Sequence, residues 1–280
     1  MLKRWLTSVG LLVLLLLLAP AMPTQAATKA LAAPAKEYGA EHFDQQITIQ
    51  NDGTLLIKER VIFKFLGGPF TFVYREIPTD KTDGIIIQSA YMDEHLLPEG
   101  TDAGQVEITQ SNPVKATWHF TTTSDATHSF VLNYRVAGVV RKEKDGDALY
   151  WEALPTKYEY FIRSSTITVT YPEKAKAVGS PQVQHSAALI RTDRNTVIFL
   201  ANNLSSSSPL EIDLRFASGS LISQAPQWQQ RQAYGEKLIA PFLGSGIIVA
   251  ILGICLLIVS YRGQRRTINF EIDAKACFSE

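Results

Sequence analysis

Between residues 41 and 219 apolar and polar side chains alternate one by one, which is the period of a strand with one dry face and one wet face. Leu210, Ile212, Leu214 and Phe216 alternate with Glu211, Asp213 and Arg215. Phe130, Leu132, Tyr134 and Val136 alternate with Val131, Asn133 and Arg135, and Val114, Ala116, Trp118 and Phe120 with Lys115, Thr117 and His119. Ile167, Val169 and Tyr171 alternate with threonines. An amphipathic helix needs apolar residues three and four apart, so these stretches cannot offer one. Turn residues separate them at Asp52-Gly53, Gly67-Gly68-Pro69, Asp145-Gly146-Asp147 and Ser205 to Pro209. The pattern predicts an all-β fold, an antiparallel β-sandwich more elaborate than an immunoglobulin-like domain of about 100 residues. An open barrel is the alternative architecture. No helical period is evident outside two apolar runs at the ends of the chain.

The first hairpin can be read to its register. A two-residue Asp52-Gly53 loop would set Ile47 opposite Lys58 and mix charge into an apolar face. A three-residue loop of Asn51, Asp52 and left-handed Gly53 pairs Ile49 with Leu55, Ile47 with Ile57 and Phe43 with Val61. A slip of one residue flips every side chain, so the longer loop is expected.

The two apolar runs set the topology. Met1-Leu-Lys-Arg-Trp, an apolar stretch from Leu11 to Leu18 and small residues around Thr24 and Ala26 form a secretory signal peptide over residues 1–26, with an uncleaved anchor as the alternative. Residues 27–40 read as an Ala/Pro-rich disordered linker and 41–220 as the β domain. Residues 221–237 read as a juxtamembrane stalk and 238–261 as a transmembrane helix, about 24 residues without a charge and long enough to cross a bilayer. Arg262, Arg265 and Arg266 open the tail of residues 262–280, so the positive-inside bias puts the tail in the cytoplasm and residues 27–237 outside. The lipid bilayer is thus the first expected partner. Gly246, Ala250 and Gly253 share a face of the span, a small-residue pattern that could pair two helices in a homodimer.

Lys and Arg total 27, as do Asp and Glu, so no polybasic surface for nucleic acid is expected. Both cysteines, Cys255 and Cys277, lie outside the β region, which leaves it without a disulfide framework or a cysteine zinc site. The histidines at 42, 95, 119, 128 and 185 lack ligand spacing and read as surface residues. Asp93-Glu94-His95 reads as a solvated turn. Tyr158, Tyr160 and Phe161 near Trp151 suit core packing and strand pairing, or an aromatic binding surface. No nucleophile elbow, zinc-protease, nucleotide-binding or dinucleotide motif occurs, and no catalytic residue, metal or cofactor is assigned.

One carboxylate stands out. Leu55, Ile57, Val61, Phe63 and Phe65 define an apolar face, and Glu59 falls among them. An inward carboxylate costs several kcal/mol unless paired and hydrogen-bonded. Arg75 is the expected partner, carried back along the same strand by the Gly-Gly-Pro turn. A sheet-edge Glu59 in water, with Arg75 beside Glu76, is the alternative.

The segment from Ile47 to Pro78 resembles the opening of domain of unknown function 2207, the YciQ-like bacterial predicted membrane proteins. The residues that carry the resemblance are Asp52, Gly53, Glu59, Tyr74, Arg75, Ile77 and Pro78. Ala148 to Pro155, Ser165 to Pro172 and Asn202 to Gly219 are also similar to that family. The resemblance implies an extracytoplasmic β domain anchored in the bacterial cell envelope, with no established activity and no catalytic residues to carry over. Relatives usually continue into a longer glycine-rich or helical part. This chain stops 19 residues after Tyr261, as a short member or an interrupted reading frame. Three functions remain open: a non-enzymatic module binding an envelope protein, a wall component or the membrane; a hydrolase with a site built from dispersed residues; and a sensor subunit acting through a partner.

Overall fold

The computed structural model describes residues 35–154, 158–184, 188–206, 208–237 and 250–262. The strands in chain order begin with β1 (Glu37–Ile49), β2 (Leu55–Leu66), β3 (Phe70–Ile77), β4 (Gly84–Met92) and β5 (His95–Leu96). Then come β6 (Gln105–Thr109), β7 (Val114–Thr123), β8 (Thr127–Ala137), β9 (Val140–Glu143) and β10 (Gly146–Leu154). The remainder are β11 (Ile162–Thr170), β12 (Gln182–Gln184), β13 (Leu189–Asp193), β14 (Thr196–Leu204) and β15 (Leu210–Phe216). They form an eight-stranded sheet in the order β13-β14-β11-β1-β2-β8-β4-β5, a four-stranded sheet β12-β15-β10-β9 and a three-stranded sheet β3-β7-β6. Alternation has its expected consequence: β2 is buried at every odd position from Leu55 to Phe65. Apolar faces of all three sheets meet in one core, with Phe43, Leu132 and Phe199 from the first, Leu149 and Ile212 from the second, and Val114 and Trp118 from the third.

The β1–β2 hairpin pairs Ile49 with Leu55, Ile47 with Ile57 and Phe43 with Val61. The Gln50 amide donates to Thr54 O at 2.7 Å, and the Gly53 amide to Gln50 O at 3.0 Å. Gly53 has φ 78°, and a Cβ there would come within 2.4 Å of Ile222, so both backbone and space demand glycine. A register shift between Ala40 and His42 marks a bulge in β1. It reverses the parity upstream, so Tyr38 and Ala40 face the same side as Phe43.

Three features depart from the sequence reading. The large sheet is mixed, because β1 and β11 run parallel from Ala40–Ile162 to Thr48–Thr170. Alternation says which face of a strand is dry but nothing of its neighbour's direction. Next, β3 does not fold back beside β2. Both edges of β2 are taken by β1 and β8, so the Gly67-Gly68-Pro69 turn sends β3 across to the three-stranded sheet. Finally, the segment read as a stalk contains a helix over residues 227–237. The Asp83 carboxylate caps it, accepting from the amides of Gln227 and Trp228 at 2.8 Å each. Trp228 Nε1 donates to Gly138 O at 2.7 Å, and Asp147 accepts the amides of Gly219, Leu221 and Ile222. A long-range cap of this kind leaves no local signature.

Residues 250–262 are helical, and no helix among the described residues is long and apolar enough to cross a membrane. The signal peptide, Gly246, most of the linker, the first half of the expected span and all but Arg262 of the tail lie outside the described residues.

Candidate functional site

The inward parity of Glu59 leaves it 2% exposed in the core. Arg75 Nε donates to Glu59 Oε1 at 2.8 Å, reaching it from the facing sheet rather than from the neighbouring strand. The other oxygen, Oε2, accepts Gln45 Nε2 at 2.7 Å and the Tyr134 hydroxyl at 3.3 Å. Gln45 in turn accepts Trp151 Nε1 at 3.1 Å and donates to Ala153 O at 2.8 Å. Arg75 Nη1 donates to Glu76 O at 2.7 Å. The network ties three sheets together, and each carboxylate oxygen has a donor, which is what makes such burial tolerable. Burial alone would push the Arg75 guanidinium down, but the Glu59 carboxylate outweighs it and the net displacement is upward. Burial, reinforced by Glu59, holds the Tyr134 phenol well above its ordinary value.

Two members escaped the sequence reading. Gln45 occupies an inward position between Phe43 and Ile47 and lies directly opposite Glu59 across the hairpin. A polar residue in the dry stripe at that register was the available signal. Tyr134 stands at an inward position of β8, where its ring hides the hydroxyl's role.

Above this network lies a groove of about 680 Å³. One wall is β3 and the turn before it, from Pro69 to Glu76; the other is formed by Lys36, Tyr38 and residues 158–160, over Phe63 and Phe65. Its rings touch in series: Tyr158–Tyr160 centroids are 5.1 Å apart, Tyr160–Phe63 4.9 Å and Tyr38–Phe70 6.2 Å. The β1 bulge places Tyr38 in this series. Phe72 and Tyr74, at 53% and 55% exposure, extend the aromatic surface outward. Burial, moderated by Arg75, raises the Tyr160 phenol. The aromatic segment therefore divides: Trp151 is core, Tyr158 is buried and with Tyr160 lines the groove, and Phe161 is 47% exposed.

The histidines also divide. Asp93 and Glu94, at φ 48° and 69°, make the tight turn between β4 and β5. Asp93 Oδ2 accepts from His128 Nδ1 at 2.7 Å, while His128 Nε2 lies 3.1 Å from Thr123 Oγ1. That order, carboxylate to Nδ1 and Nε2 to hydroxyl, is the contact pattern of a nucleophilic relay. His42 bonds Ser164 and His119 bonds Glu107, and His185 lies outside the described residues. No group of three His, Cys, Asp or Glu residues suited to a metal ion occurs among the described residues. Asp52 supports its turn by accepting the Thr54 amide at 3.0 Å. Ala250 and Gly253 lie on the helix of residues 250–262, where a Cβ at Gly253 would meet open space.

Fold and site together define an all-β domain with a cross-sheet ion pair beneath an aromatic groove. The chain belongs to the family described as predicted membrane protein (DUF2207) N-terminal domain, whose model matches residues 40–216. No curated protein matches it. Among solved structures it is similar to native yeast LTA4 hydrolase, with a TM-score of 0.45 and 9% identity over 64% of this chain and 29% of that one. It is also similar to the M1 zinc metallopeptidase from Deinococcus radiodurans, with a TM-score of 0.40 and 12% identity over 64% of this chain and 42% of that one. The chain thus spans less than half the length of either structure.

Proposed function

We propose that this is a single-pass envelope protein whose β domain, an elaborated sandwich of the eight-stranded sheet against the two smaller ones, stands outside the membrane and holds a partner in the groove along β3. The observation that carries this reading is the composition of the groove. Arg75 is committed to Glu59, so what remains on offer is mostly rings, with Lys36, Glu76 and Glu159 as the charged lining. Concave, mostly apolar surfaces with a few fixed polar groups are what binding sites are made of. The arginines after Tyr261 support the outward orientation. A photocrosslinking residue at Phe72, in whole cells, should give adducts that vanish when Tyr160 and Tyr74 become serine. Adducts indifferent to those changes would refute the groove.

The relay of Thr123, His128 and Asp93 favours a second reading, an envelope hydrolase. It predicts labelling of Thr123 by a fluorophosphonate, abolished by His128→Gln. An unlabelled Thr123 removes this reading and makes the relay a brace between the β4–β5 turn and the β7–β8 hairpin.

A further inference from the structure

The groove is lined by consecutive residues from Pro69 to Glu76, not by alternate ones. Side chains of a strand point to opposite faces in turn, so a cavity touching every residue runs along the strand's edge rather than over a face. β3 pairs with β7 on one side and with no strand on the other among the described residues. On an antiparallel edge every second residue turns its N–H and C=O away from its partner, and the groove borders the strand that carries this unpaired edge.

Resting on the binding reading above, we infer that the groove's occupant is an extended polypeptide segment of another envelope protein, which adds to the three-stranded sheet as a strand beside β3. An unpaired edge presents donors and acceptors at the spacing of a peptide backbone, which is the chemistry of strand addition. Alternate side chains of the segment enter the groove and meet Phe63, Phe65 and Tyr160, so they are apolar. The others face water. Lys36, Glu76 and Glu159 are charged residues of the lining beside the Arg75 pair. Lys36 Nζ sits over the Phe70 ring, 5.4 Å from its centre, at the start of β3, and Glu76 stands near its end. A segment with an acidic residue beside Lys36 and a basic one beside Glu76, whose 3.5 Å contact with Lys115 is solvent-exposed, would match two of these charges, about 20 Å apart at the strand rise. Arg75 gives no anion site, because Glu59 and Glu76 O occupy it.

The experiment uses the full chain in detergent micelles and a synthetic heptapeptide library, Asp-Φ-Thr-Φ-Thr-Φ-Lys, with Φ drawn from Val, Ile, Leu, Phe and Tyr. The best binder is then N-methylated at its even or at its odd positions. Strand addition predicts that one series loses binding about tenfold or more while the other changes less than about twofold, since only one parity faces β3. Amide exchange across residues 71–75 should slow in the complex. Tyr160→Leu should weaken binding, and Leu189→Ser on the distant β13 edge should not. The inference is overturned if no library member binds, if both methylated series bind alike, or if β3 amides are already protected in a concentration-dependent way by a second copy. Chitohexaose protecting Tyr38 and Tyr160 while peptides fail would overturn the peptide and leave the groove reading intact. Failure of both probes, together with Phe72 adducts that are absent or indifferent to the Tyr160 and Tyr74 changes, would remove both.

Discussion

Breaking the Glu59–Arg75 pair from either side should leave a buried partner unpaired. In Glu59→Gln the guanidinium stays charged at all accessible pH, buried at 8% exposure, with its carboxylate gone and an amide group facing donors. In Arg75→Met the carboxylate keeps two donors, Gln45 Nε2 at 2.7 Å and Tyr134 at 3.3 Å, but loses the opposite charge. Each single substitution is expected to cost about 3 kcal/mol near neutrality, the penalty of an unpaired buried partner. The double variant should cost about 3 rather than about 6, a coupling of about 3 kcal/mol. Urea titrations of a fragment of residues 35–237 at about pH 7 measure all four corners of the cycle. Additive costs within about 0.5 kcal/mol would show that the pair is incidental and refute the reasoning.

Other outcomes follow from the same geometry. The fragment should melt cooperatively and without response to chelator or reductant, since one apolar core joins its sheets and both cysteines lie outside it. Tyr134 and Tyr160 both titrate above the ordinary phenol value when folded, so the unfolded chain releases those protons first and stability should fall as pH rises past about 10. Tyr134→Phe should flatten that fall by about one proton in the pH dependence of the melts. Asp83→Ala should cost about 1 kcal/mol and speed amide exchange at residues 227–230. Gly138→Val should do the same, because a Cβ there lies 2.4 Å from Asp83 Oδ2. On intact cells an impermeant thiol reagent should leave Cys277 unmodified; its labelling would reverse the topology.

Much of this protein is written locally. Alternation around Leu55–Phe65 determines the strand, its dry face and the inward place of Glu59, because side-chain direction in a strand depends only on parity. The Asn51-Asp52-Gly53 loop determines the hairpin register, because one glycine and three apolar pairs are enough to choose it. What parity cannot carry is adjacency. That β11 lies parallel to β1, that β3 crosses to a facing sheet, and that Arg75 meets Glu59 through the core were decided by tertiary packing. The same holds for Gln45 and Tyr134, whose burial becomes tolerable only once Glu59 and Trp151 are beside them. The groove, too, exists only because Tyr38, β3 and residues 158–160, far apart in the chain, come together around an edge that no local pattern marks. A side chain's face is a property of its own backbone, but its partners are chosen by the whole chain's competition to bury apolar surface and satisfy every buried polar group.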